Sequence, residues 1–112
     1  MVQAMNNTNK VSETVLYDEI HQIFARRFKE SYADICHEIE TALDSGDIKH
    51  AHRLVHNLKS NAGQLRKTSL QIIAAEVEGD LKNEVNNVTK QQMQELEREL
   101  KKVIEEITND YF

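Results

Sequence analysis

The stretch IKHAHRLVHNLKSNAGQL, residues 48–65, decides the fold. Ile48, Ala51, Val55, Leu58, Ala62 and Leu65 recur at steps of 3, 4, 3, 4 and 3, the spacing of a seam buried in a helical bundle. One position further along runs a second stripe: Lys49, His52, His56, Lys59, Gly63 and Arg66. A shift of one residue turns a side chain by about 100° around the helix axis, so this stripe lies beside the core, at or near the surface. One predicted helix thus carries a core face and, next to it, a face rich in imidazole and cationic groups.

Upstream, Asp44-Ser45-Gly46-Asp47 reads as a turn. Gly46 suits the left-handed position after a helix, and Asp47 suits the N-cap of the next one. Before the turn, Leu16, Ile20, Ile23, Phe24 and Phe28 recur at helical spacing, and the pattern continues through Tyr32, Ile35, Ile39, Ala42 and Leu43. That pattern fits one long helix, or two with a break near Lys29–Ser31 and Ser31 as N-cap. Downstream, Thr68 reads as a cap with Gln71 at the capping-box position, and Leu70, Ile73, Ala74, Val77 and Leu81 form the next apolar stripe. Asn86-Asn87 is a polar connection, and Thr89 with Gln92 repeats the capping-box pattern. The last stripe is Met93, Leu96, Leu100, Val103 and Ile107. Short connections make neighbouring helices antiparallel. The expected fold is all-α: an up-down antiparallel four-helix bundle with room for a short extra N-terminal helix. The bundle is expected over residues 11–112, after a flexible N-terminal arm over residues 1–10.

Composition points the same way. The 112 residues suit one domain, and 39% apolar with 29% charged residues suits a folded chain. Proline is absent and glycine occurs three times, which leaves little room for hairpins, sandwiches or phosphate-cradling loops. No apolar run nears the ~20 residues of a membrane span and no signal-peptide pattern is present, so no membrane contact by this segment is expected; with one cysteine, the expected setting is reducing and cytoplasmic, either free or as the cytoplasmic part of a larger membrane-bound protein. A single cysteine, Cys36, excludes an internal disulfide and a Cys-rich zinc site; it is expected as a small core hydrophobe. Phe24 and Phe28 are expected in the core, His21, His37 and His50 at solvated or half-buried positions, and Arg26-Arg27 as an exposed pair.

The net charge is −5, unevenly spread. From Ile48 to Ala75 there are five basic residues (Lys49, Arg53, Lys59, Arg66, Lys67) and no acidic one. A positive segment on an otherwise negative protein attracts and steers an acidic partner.

His56 stands in the middle of that segment. A histidine that holds a phosphoryl group must be reachable and neutral before attack, which an ordinary pKa of about 6.5 allows near pH 7. It gains from a nearby cation, and Lys59, expected exposed, is one turn on. It needs clearance, and Ser60, Ala62 and Gly63 are small. Gly63 in mid-helix costs about 1 kcal/mol relative to alanine, which invites a reason in packing or close approach.

The run His56-Asn57-Leu58-Lys59-Ser60-Asn61-Ala62-Gly63 resembles the signature of histidine-containing phosphotransfer (HPt) domains: His, any residue, Leu, Lys, Gly or Ser, two mostly small residues, Gly. The turn Ala42–Asp47 and the segment Tyr17–Phe28 resemble that family's turn before the active helix and its opening helix. The likeness covers roughly residues 12–108; Ser60 and Arg66-Lys67 depart from the commonest residues. The resemblance implies a phosphorelay intermediate, a carrier without an ATP site. His56 would be the phosphoacceptor, attacking through Nε2, and Lys59 would contact the phosphoryl group. Glu78, twenty-two positions after the histidine, would orient the ring through Nδ1. His52, Arg53, Ser60, Gly63 and Gln64 would form the docking surface of a monomeric domain. The implied partners are response-regulator receiver domains and a sensor histidine kinase, free or in one hybrid chain. No cofactor or metal of its own is implied; Mg²⁺ comes with the partner receiver.

Two other classes fit parts of the pattern. A non-catalytic helical interaction or adaptor module accounts for the apolar stripes. A His-based metal-binding bundle could use His52 and His56 at i and i+4 with His21, His37 or Glu residues. Lys49 and Arg53 stand where a Glu-x-x-His repeat would place its carboxylates, and basic neighbours discourage a cation. Nucleic acid is not an expected partner, because the overall balance is acidic and the six aromatics sit mostly at core-like positions.

Overall fold

A computed structural model describes residues 18–112. The expected arm at residues 1–10 lies outside the described residues, as does Leu16. Helix α1 covers residues 18–32 of the described chain. Then come α2 (Ile35–Asp44), α3 (Ile48–Gln64), α4 (Thr68–Gly79), a 3₁₀ turn (Lys82–Glu84) and α5 (Lys90–Tyr111). No strand occurs among the described residues. Helix α2 packs on α3 and α5, and α4 packs on α3 and α5, which closes a four-helix ring. Helix α1 joins through buried Ala25 and Phe28.

The core is the set of apolar stripes. Val55, Leu58 and Ala62 of α3 are fully buried, as are Ile39, Ala74, Val77 and Leu96 of its neighbours. Each such Leu, Ile or Val contributes about 1.5–3 kcal/mol relative to exposure. No polar or charged side chain is buried among the described residues. Cys36 lies in this core, and burial, followed by the charges of Glu97 and Glu40, pushes its thiol up to about 12.

The connections explain the register. Gly46 has φ +80, and the bonds Gly46 N–H to Leu43 O (3.1 Å) and Asp47 N–H to Ala42 O (2.9 Å) close α2. The Asp47 carboxylate then accepts from the His50 N–H at 3.2 Å and starts α3. At α5 the Thr89 hydroxyl accepts from Gln92 N–H, and the Gln92 side chain accepts from Thr89 N–H, a complete capping box.

Three expectations change. The first segment is two helices, and its break falls at Ala33–Asp34 instead of Lys29–Ser31; Ser31 lies inside α1 and caps nothing. Thr68 is the first residue of α4 rather than its cap. The chain leaves α3 through Arg66 in the left-handed region (φ 58), with Lys67 N–H on Ala62 O, so Lys67 takes the N-cap position without a side-chain bond. That frees Gln71 from any capping role. Finally, Phe24 is 48% exposed, as is Ile20, because α1 turns only its Ala25–Phe28 edge inward. Helical periodicity marks an apolar face wider than the one the bundle covers.

Candidate functional site

Helices α3 and α4 run antiparallel, so residue numbers rise on one as they fall on the other. At one end of their seam His56 meets Glu78; two turns along, Gly63 meets Gln71. Ser60 and Ala75, both small and exposed, lie between.

His56 is held by one atom. Its Nδ1 lies 2.5 Å from Glu78 Oε2, while the side chain remains 54% exposed. The other carboxylate oxygen, Glu78 Oε1, accepts from Lys59 Nζ at 2.5 Å. Burial would raise the Glu78 carboxyl, but the hydrogen bonds from Lys59 and His56 and their charges outweigh it and hold the group below its usual range. Glu78 is therefore ionised near neutral pH. A carboxylate only accepts hydrogen bonds, so the proton between the two groups belongs to Nδ1. In the neutral ring this places the free lone pair on Nε2, which has no hydrogen-bond partner among the described residues.

Lys59 departs from expectation in one respect. It is half-buried and tied to Glu78 across the α3–α4 seam. Of the expected docking residues, Arg53, Ser60 and Gln64 are exposed, and His52 is half-buried and lines a groove with Leu81, Asn83 and Glu84. Gln64 faces a separate groove with Phe24, Arg27 and Tyr32. Tyr32 accepts from Asn61 Nδ2 at 2.7 Å, and burial, partly offset by this bond, raises its phenol above the ordinary value.

Gly63 makes room for a group within the chain. A Cβ built on it would lie 2.7 Å from Gln71 Nε2 and 3.2 Å from Gln71 Cδ. Gln71 was absent from the sequence-derived site; the 56–78 pairing across an antiparallel seam, carried two turns along, is the signal that finds it. No group of three or more His, Cys, Asp or Glu side chains converges as a metal would require among the described residues.

An exposed imidazole on a helical bundle, bonded through Nδ1 to a carboxylate and neighboured by an ammonium, presents one nucleophilic nitrogen to the surface. The family model described as the Hpt domain matches residues 24–108, and the chain belongs to that family. Compared with curated proteins and with solved structures, the chain gives no match. Hpt domains are phosphotransfer carriers of phosphorelay signalling, not enzymes with ATP sites, and they interact with receiver domains and kinases. No helix of the described residues is long and apolar enough to cross a membrane.

Proposed function

We propose that His56 accepts a phosphoryl group from the aspartate of a receiver domain and passes it to another receiver or back. Nε2 attacks phosphorus in line, the N–P bond forms as the acyl phosphate P–O bond breaks, and the aspartate leaves as carboxylate. No proton is lost, because Nε2 carries none. The ring becomes cationic, with phosphate on Nε2 and hydrogen on Nδ1, and Glu78 stabilises that charge across the 2.5 Å contact. Lys59, within reach of the same carboxylate, supplies a cation for the phosphoryl oxygens. Mg²⁺ and most of the catalysis belong to the receiver's acidic pocket.

The observation that carries this reading is the Nδ1–carboxylate contact on a half-exposed ring, which leaves Nε2 as the one unengaged nucleophile of the site. The test is transfer from a receiver domain phosphorylated with acetyl phosphate. Wild type takes up label and His56→Gln takes up none; label retained in the variant discards the assignment.

A further inference from the structure

Gly63, the penultimate residue of α3, leaves the space of its missing side chain to an amide from the neighbouring helix. The Gln71 amide lies across it, at 2.7 Å from where a Cβ would stand. No hydrogen bond inside the protein accounts for that placement, since the amide has no hydrogen-bond partner among the described residues. The residue itself is exposed. Its donor and acceptor are therefore open to a partner at the surface. Gly63 is seven residues, two helical turns or ~10.5 Å, from His56 on the same edge of α3. Between them stand the small residues Ser60 and Ala75 and the half-buried Lys59. The whole strip lies inside the segment from Ile48 to Ala75 that carries five basic residues and no acidic one.

We infer that Gln71, seated on Gly63, is a docking residue for the receiver that exchanges phosphate with His56, and that the α3–α4 seam, rather than α3 alone, is the docking surface. This rests on the phosphotransfer reading above. A side-chain amide matches a peptide group, donating and accepting at once, so the receiver's main chain is the fitting counterpart. Gly63 then acts through Gln71: any side chain at this position lifts the amide from its seat.

The experiment compares two phosphoryl donors, a receiver domain phosphorylated with acetyl phosphate and the small molecule phosphoramidate, which needs no docking. The quantity read is the ratio of the two labelling rates. Gln71→Ala lowers the ratio about fivefold, the loss of one good hydrogen bond, through KM for the receiver. Gly63→Ala lowers it similarly in the wild-type background and adds nothing in the Gln71→Ala background. Thermal melts confirm that each variant is folded.

A wild-type ratio in Gln71→Ala overturns the docking role. An equal further loss from Gly63→Ala when Gln71 is already alanine overturns the seat, since the glycine would then clear the partner itself. Labelling of wild type by phosphoramidate but by no receiver domain defeats the relay reading, and the docking role with it, a result distinct from either of the others.

Discussion

At Glu78 two opposed effects meet: burial resists the charge, and two hydrogen bonds plus neighbouring positive charge hold it. The bonds prevail, so ionised Glu78 contributes stability that is present above its unfolded pKa of 4.5 and is lost as pH falls through the lower folded value. Glu78→Gln keeps the shape and the acceptor but not the charge. Its stability deficit in urea melts is expected at pH 7 and shrinks below pH 4.5; an unchanged gap at both would mean the carboxylate does not titrate against these partners. In transfer assays Glu78→Ala is slowed less than His56→Gln, because the nucleophile survives and only its orientation is lost. Cys36 behaves oppositely: its thiol is raised to about 12 by burial first and by acidic neighbours second. Alkylation by iodoacetamide at pH 8 should therefore be negligible in the native protein and prompt in denaturant, read by mass; fast native labelling would mean that the α2 core opens.

At the scale of elements, helix ends decide what the site can be. Helix α3 closes with Arg66 in the left-handed region, bonded N–H to Gly63 O at 3.0 Å, with Lys67 N–H on Ala62 O at 2.9 Å. A non-glycine residue in that conformation costs roughly 1 kcal/mol. Arg66→Gly should raise stability by about 0.5–1 kcal/mol, a Tm gain of several degrees, and a lower Tm would show that the arginine side chain earns its place. The same turn explains which parts of the site could be read from sequence. Thr68 and Gln71 fit a capping box by local rule, yet the chain is already helical at Thr68 when it leaves this turn, and Gln71 is drawn to Gly63 instead. The capping box at Thr89 and Gln92 has no such competitor and forms as written. The α3 stripes give the core and the position of His56 directly, since both are periodic in one helix. Contacts between helices, such as Lys59 with Glu78, depend on the stagger of the seam, which no single helix encodes.

At the scale of the whole molecule, charge is sorted. Basic side chains cluster in the segment that carries His56, while most carboxylates lie on the other segments; Glu78, on the facing helix, is paired with Lys59 and His56, and Lys67 is paired with Glu106. On the proposed reading, an acidic receiver pocket approaches a segment whose Lys49, Arg53 and Arg66 pair with no carboxylate among the described residues. Fields of this kind act mainly on encounter and are screened over about 10 Å at 0.1 M salt and about 3 Å at 1 M. The rate of transfer from a phosphorylated receiver at limiting concentration should fall as salt rises from 50 mM to 500 mM, by roughly tenfold. Phosphoramidate labelling of His56, which needs no such encounter, serves as the reference at each salt concentration. Arg53 is exposed one turn before His56 and pairs with no carboxylate among the described residues. Arg53→Gln should lower the low-salt rate and flatten the salt dependence, leaving the two proteins nearly equal at the high-salt end. If the wild-type rate is flat across the range, the sorted charge does not steer the partner, and docking must depend on short-range contacts along the seam.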